Sequence, residues 1–406
     1  MRPKFFASLF WALLFLSLSG PEALAQKNVP PAPPFEGWLQ ELKTEAQGRG
    51  ISSQTINRAL GKVKRIPRVL ELDRRQPEFT QTFWTYMGRA VNDARIKKGK
   101  ALLVKHKKLL DKIYKKYGVP PRFLVSFWGL ESNFGQYTGT FPVVAALVTL
   151  AHDRRRPSFF REQLLAVLKL IDQGDIAFGT KASWAGAMGN HQFIPTTYRD
   201  FAVDSNGDGK RDLWGTLPDI FASASNYLKG AGWDKDLTWG REVKLPAKFA
   251  YALSGLKVKK SLAEWQKLGV RRTNGKNLPE VAIEASIVLP AGYQGPAFLV
   301  YKNYSTIMIW NRSILYALAV GHLADRFVGL PSIKAKKPKN ERPLSRLDIT
   351  DIQRILTANG YDAGGADGIV GSKTRSALKS FQKAAGLPAD GYPSMGVLER
   401  LRGIVK

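Results

Sequence analysis

PPRFLVSFWGLESNFG, residues Pro120 to Gly135, is the point from which the rest of the chain can be ordered. Its apolar positions follow a Pro-Pro step that suits a helix N-terminus, and Gly135 supplies a stop. The pattern predicts a helix through RFLVSFWGL with a single carboxylate, Glu131, in its last turn. An anion there faces the negative end of the helix dipole, and Phe127 and Trp128 strip water from it where that face is buried. Both effects favour the neutral acid and raise its pKa, which suits a general acid working near neutral pH. A solvated glutamate at a frayed helix end fits the same local pattern, and local context alone favours that plainer reading.

Outward from this helix, most segments from Trp38 to about Gly240 keep a 3.6-residue apolar spacing. GWLQELKTEAQGRG ends on a glycine stop, and SSQTINRALGKV opens on a serine N-cap. Between about 241 and 304 the pattern changes to short β-branched runs, EVKLP, ASIVLP and AFLVYK, bounded by Pro and Gly. Helical character returns at WNRSILYALAVGHLADRF, and PSIKAKKPKNERP (331–343) reads as a linker. Residues 344–406 read as helix, Gly/Asp turn, helix, turn and short helix. The fold class expected is mainly α: a helical domain over 35–330 with a small β-containing insert, then a three-helix C-terminal domain.

The first residues, MRPKFFASLFWALLFLSLSGPEALAQ, carry a basic start, a short apolar run and an Ala-x-Ala site. They read as a signal peptide over 1–25, cleaved near Ala25-Gln26, with an uncleaved anchor helix as the weaker alternative. A Pro-rich leader follows at 26–34. No cysteine occurs, which excludes disulfides, thiolate metal sites, a catalytic thiol and a lipid-bearing cysteine. No later segment is long and apolar enough to span a bilayer, so an exported, periplasmic protein without a membrane anchor is expected. The formal charge is +29, of which residues 26–330 keep +21. That balance calls for an anionic partner, and export moves the weight from nucleic acid to the cell wall. General basicity serving solubility is the bland alternative. The four His residues show no H-E-x-x-H spacing, and neither G-x-S-x-G nor a phosphate loop occurs.

About fifty residues past Glu131 lies SWAGAMGNHQFIPTTYRDF (Ser183–Phe201). Its small residues allow close backbone approach, Gln192 offers a donor and an acceptor, and Phe193 and Tyr198 offer flat faces. That equips a sugar or amide groove, and it equally fits a tight packing turn. Together with ESNFG, LWGTLPDIFASASNYLKGAGW, ELDRRQPEFTQTFWTY and WNRSILYALAV, it resembles the membrane-bound lytic murein transglycosylase B family. These are lysozyme-like enzymes of glycoside hydrolase family 103, and the resemblance runs from about Phe35 to Val328.

The resemblance implies cleavage of the MurNAc–GlcNAc β-1,4 bond of peptidoglycan without hydrolysis. Glu131 would act first as acid and then as base, giving 1,6-anhydro-MurNAc ends with no second carboxylate. It also implies groove positions at Ser183, Met188, Gln192, Tyr227, Asn311 and Tyr316, with Trp310 where better-known members have Tyr. Relatives commonly differ at Asn190-His191, and His191 reads equally as a sugar contact or a packed turn residue.

In AVDSNGDGKRDLW, Asp204, Asn206 and Asp208 alternate ahead of Gly209, opening an EF-hand-like oxygen cage. The twelfth position is Gly215 rather than Glu. The resemblance implies closure by Asp219 and the Lys210 carbonyl around a structural Ca2+, with no cofactor required for catalysis. An ion-free Asp/Asn/Gly turn is the alternative.

DIQRILTANGYDAGGADGIVGSKTRSALKSFQKAAGLPADG resembles the first type of peptidoglycan-binding domain, which implies attachment to the wall through a flexible linker. A hydrolytic muramidase and an inactive wall-binding scaffold remain as alternatives. A nucleic-acid binder has no motif to support it.

Overall fold

The computed structural model describes residues 33–74, 81–337 and 343–404. The predicted signal peptide, nearly all of the Pro-rich leader and part of the linker lie outside the described residues. The described residues divide into two compact units, one of 33–74 and 94–233, the other of 81–93 and 234 onward.

The first unit is helical. Helices α1 (Phe35–Gly48), α2 (Ser53–Leu60) and α3 (Pro67–Arg74) precede α5 (Asp93–Lys105), α6 (Lys107–Tyr117) and α7 (Pro121–Ser132). The predicted serine cap is present, Ser52 Oγ accepting the Thr55 N–H. Then come α8 (Val143–His152), α9 (Pro157–Asp172), α10 (Pro195–Phe201) and α11 (Leu217–Gly230). Helix α8, VVAALVTLAH, is apolar on nearly every side and is buried on nearly every side, packed along α9. Ahead of it, strand β1 (Phe141–Pro142) pairs antiparallel with β2 (Lys181–Ala182), Phe141 opposite Ala182.

The second unit carries α4 (Phe83–Ala90) and the insert. Strands β3 (Gly240–Lys244), β4 (Lys260–Ser261), β5 (Arg271–Arg272), β6 (Glu284–Val288) and β7 (Ala297–Val300) form one antiparallel sheet in the order β4-β6-β7-β3-β5. The three predicted β runs supply its centre, with Glu242 opposite Phe298 and Ile287 opposite Leu299. Helix α12 (Leu262–Lys267) was not anticipated; a Ser261–Glu264 capping box starts it and Trp265, fully buried, anchors it. Helices α13 (Lys302–Trp310) and α14 (Ile314–Phe327) follow, bent by 116° where they meet. Gly321 of α14 lets Trp239 lie against the helix, its indole donating to Asp325 at 2.9 Å. Among the described residues no single helix is long and apolar enough to cross a membrane.

Helices α15 (Arg346–Ala358), α16 (Ser372–Ala384) and α17 (Met395–Arg402) close the chain around Ile352, Leu356, Leu378, Phe381 and Leu398. The start of the linker is held to the insert. The Lys334 and Ala335 amides donate to the Glu242 carboxylate of β3, at 2.7 and 2.8 Å. The helical module itself is hydrogen-bonded to the insert: Lys379 Nζ donates to the Ala252 and Ser254 carbonyls, and Asp390 accepts the Tyr293 N–H at 2.7 Å. Pro and Lys content reports low burial in a connector, and says nothing about what clamps its two ends.

Candidate active site

Helix α7 starts at Pro121 behind Pro120, as the Pro-Pro step predicts. Its face is so apolar that Phe123 to Gly129 are all buried, and Glu131 is only 4% exposed. The helix stops sooner than Gly135 implies. Asn133 and Phe134 both adopt left-handed backbone (φ 51° and 61°) ahead of Gly135 (φ 81°). Non-glycine residues held there cost on the order of 1–3 kcal/mol each, and such strain gathers at working sites. The turn is held by Phe134 N–H to Trp128 O (3.0 Å), Gly135 N–H to Ser132 Oγ (2.9 Å) and Tyr137 N–H to Ser132 O (3.0 Å). Lys98 lies over the Phe134 ring at 5.1 Å and donates to the Asn133 carbonyl at 3.5 Å.

The Ser183–Phe193 segment is a second tight turn in the same unit. Ser183 Oγ accepts the Ala185 and Ala187 amides at 3.3 and 3.0 Å. Met188 and Phe193 exchange backbone hydrogen bonds of 2.8 and 2.9 Å, closing a hairpin. Gly189 has φ 70°, and a Cβ there would stand 2.7 Å from the Leu213 carbonyl oxygen, so only glycine fits. Gln192, also left-handed (φ 52°), donates through Nε2 to Gly189 O at 2.9 Å and Thr138 O at 3.3 Å. Its buried Oε1 accepts no hydrogen bond among the described residues. Half-buried Tyr227 meets the Phe193 ring edge-on at 5.8 Å. Ser183 and Met188 are both buried, Met188 completely.

Asn190 and His191 turn out to be internal braces. Asn190 accepts the Trp128 indole N–H at 2.6 Å and donates to the Leu213 and Trp214 carbonyls at 3.0 and 2.8 Å. His191 is 2% exposed, with Nε2 3.3 Å from the Leu124 carbonyl of α7. Burial pushes its imidazole down to about 4, against the opposing pull of backbone contacts at Leu124 and Ile220, so it is neutral near pH 7. Of the two readings the sequence left open for His191, the packed one holds.

Trp310, Asn311 and Tyr316 lie in the second unit, at the α13–α14 bend. Asn311 ends α13, and its Oδ1 accepts the Ser313 N–H at 3.1 Å. Trp310 and Tyr316 are both buried. Five of the predicted groove and acid residues therefore share the first unit, and three share this bend.

The acidic loop comes together as a cluster. Ligand atoms of Asp204, Asp208 and Asp219 lie within 4.8 Å of one another, Asp219 reaching in from the first turn of α11. Asp204 accepts the Gly207 and Gly209 amides at 2.6 and 2.8 Å, both glycines with φ 82°. Asp208 Oδ1 accepts the Lys210 amide at 2.9 Å, and Asn206 Nδ2 donates to Asp208 Oδ2 at 2.8 Å. Burial pushes the fully buried Asp219 carboxyl above its ordinary range, and the Asp204 charge adds to this. Crowded carboxylates on a glycine-bent loop are the donor set a hard cation needs, so these residues fit Ca2+. Asp212, not singled out from the sequence, holds the start of α11 by accepting from the Trp214 N–H (2.8 Å) and Thr216 Oγ1 (3.0 Å).

Comparison with known proteins matches residues 34–325 to the Transglycosylase SLT domain and residues 345–401 to the putative peptidoglycan binding domain. The chain is 29% identical over 292 residues to membrane-bound lytic murein transglycosylase B of Escherichia coli, covering 68% of this chain and 78% of that one. It is 46% identical to Pseudomonas aeruginosa SltB3 in complex with NAG-anhNAM-pentapeptide (TM-score 0.87), covering 91% of this chain and 100% of that one. It is 28% identical to E. coli lytic transglycosylase Slt35 in complex with calcium (TM-score 0.62), covering 73% and 93% of the two chains.

Proposed function

This chain belongs to the SLT transglycosylase family and is a lytic transglycosylase acting on peptidoglycan, and from that premise we propose that Glu131 carries both proton transfers. The observation that carries this is the burial of Glu131 in the final turn of α7, where loss of water and the helix terminus both favour the neutral acid. Glu131 protonates the glycosidic oxygen as the bond from MurNAc C1 breaks. The substrate's N-acetyl group meets the positive charge developing at C1, which dispenses with a carboxylate nucleophile. The Glu131 carboxylate then takes the proton of the MurNAc C6 hydroxyl, and O6 bonds to C1 to close the 1,6-anhydro ring. The bound anhydro sugar in the SltB3 complex supports this outcome.

Gln192, Ser183 and Tyr227 bind the sugar from the same unit, the Gln192 side chain being oriented by its hydrogen bonds to the Gly189 and Thr138 carbonyls. Fully buried Met188 shapes that turn from behind. Trp310, Asn311 and Tyr316 supply further sugar contacts from the α13–α14 bend. Asp204, Asn206, Asp208, Asp219 and the Lys210 carbonyl hold a Ca2+ ion, which supplies charge neutralisation to the loop ahead of α11 and takes no part in the reaction. Residues 1–25 direct export to the periplasm, and N-terminal sequencing of the secreted chain should begin at Gln26.

Mass analysis of digested murein tests the mechanism. Wild type should release 1,6-anhydro-muropeptides and Glu131→Gln should release almost none. Products with reducing-end MurNAc and no anhydro form would mean that water, not the C6 hydroxyl, captures the intermediate.

A further inference from the structure

Gly129 weakens the helix that holds it, because glycine gives up more backbone freedom on folding than any other residue. What requires it lies five residues further on. A Cβ on Gly129 would stand 2.8 and 2.9 Å from Cζ and Cε1 of Phe134, so the ring fills the space a side chain would take. The chain after Glu131 therefore doubles back, and buried Phe134 is seated on the helix that carries the acid. Asn133, Phe134 and Gly135 all hold left-handed backbone to make that reversal (φ 51°, 61° and 81°). Only the last is glycine, so the turn persists because its surroundings impose it.

Those surroundings come from α7 itself and from α5. Trp128 meets the Phe134 ring edge-on at 5.7 Å, and its indole is fixed in turn by Asn190. The Lys98 ammonium stands 5.1 Å from the centroid of the Phe134 ring and reaches the Asn133 carbonyl. A Cβ on Gly129 would also lie 3.6 Å from Arg95 Cδ. Arg95 and Lys98 are three residues apart and share one face of α5. Of the 13 residues of α5 only Gly99 is buried, and these long side chains make its hold on the turn.

We propose that Phe134 and Lys98 are positioning residues for the acid. Seated on Gly129 and covered by Lys98, the ring fixes the turn that keeps the Glu131 carboxyl in one place through both proton transfers. The inference rests on the reading of Glu131 as acid and then base. Under that reading one carboxyl serves two oxygens in turn, the glycosidic oxygen and O6 of MurNAc. A misplacement of about 1 Å can cost about 10²-fold in rate, and here the group at stake is the acid itself. Sugar binding belongs to other residues, so loosening this clamp slows turnover and leaves binding alone.

The test is steady-state kinetics on soluble, uncrosslinked glycan strands, followed by release of anhydro-muropeptides. Lys98→Met keeps the aliphatic stem and removes the charge. It should lower kcat about threefold to tenfold, with KM within about twofold of wild type. Lys98→Arg should restore most of the loss, because a guanidinium also stacks on an aromatic face. Gly129→Ala, which drives the ring from its seat, should lower kcat at least about tenfold at the same KM. Lys100→Met, exposed on the opposite side of α5, should leave kcat unchanged. Lys98 is partly exposed, so its variants fold even where Gly129→Ala does not, as circular dichroism melts will show. Wild-type kcat in Lys98→Met, a rise in KM alone, or Lys98→Arg as slow as Lys98→Met overturns the clamp. Glu131→Gln working at the wild-type rate overturns the reading beneath it. Wild-type kcat in Lys98→Met beside an inactive Glu131→Gln overturns the clamp alone.

Discussion

The proposed mechanism has Glu131 arrive protonated, so Glu131→Gln should cost about 10²–10⁴ in turnover of sacculi with little change in unfolding midpoint. Its neighbour Trp128 is held by Asn190, which makes three side-chain hydrogen bonds inside the protein. Asn190→Ala orphans the buried indole N–H and the Trp214 carbonyl, while the Leu213 carbonyl keeps the Asn190 backbone N–H, and should cost about 1–3 kcal/mol in urea denaturation for each group left bare. His191 gives a pH signature. Its folded value near 4 lies below the 6.5 of the unfolded chain, so between those values the unfolded state binds more protons. The stability it contributes is complete above about pH 6.5 and is lost as pH falls toward 4, roughly 3 kcal/mol in all. Melting scans across that window should show the decline, and His191→Gln should flatten it. The place of Glu131 in the last turn of α7 was legible in the sequence because helix period and stop signals are local. The bracing roles of Asn190 and His191 were not, because they depend on Leu124, Leu213 and Ile220, which lie more than twenty residues away along the chain.

At the scale of elements, the acidic loop and α11 are one device, since Asp219 on the helix completes the cluster begun at Asp204. Ca2+ added to chelator-treated protein should raise the melting temperature, by the equivalent of about 2.7 kcal/mol at a hundredfold excess over Kd. Asp219→Ala should abolish the rise. No shift in wild type would mean that the loop is an ion-free turn. The bend side of the second unit is equally specific: a Cβ on Gly321 would stand 2.2 Å from the Trp239 indole. Gly321→Ala should therefore cost about 1–3 kcal/mol by overpacking, read from the same denaturation curves. The three central strands were readable from β-branched runs between Pro and Gly. Helix α12 escaped because six residues show too little periodicity, and β4 and β5 because two residues show none.

For the whole molecule the dominant quantity is the charge of +29. Residues 94–118 alone hold ten Lys and Arg against one acid, and most of those lysines on α5 and α6 are exposed. Retention of Glu131→Gln on sacculi should weaken steeply as salt shortens the Debye length from about 10 Å at 0.1 M to about 3 Å at 1 M. Retention indifferent to salt would show the charge to be incidental. The composition change at residues 331–343 falls between the two matched domains, 34–325 and 345–401. The hold of the module on the insert was not legible in the sequence, because Asp390 and Lys379 reach backbone atoms, and backbone partners leave no trace in residue identity. Anyone building chimeras inherits that fact. The tail is no interchangeable cassette: a wall-binding module grafted after residue 343 finds its seat only if the host carries main chain shaped like Ala252–Ser254 and Gly292-Tyr293. Module and insert would have to be transplanted as one piece.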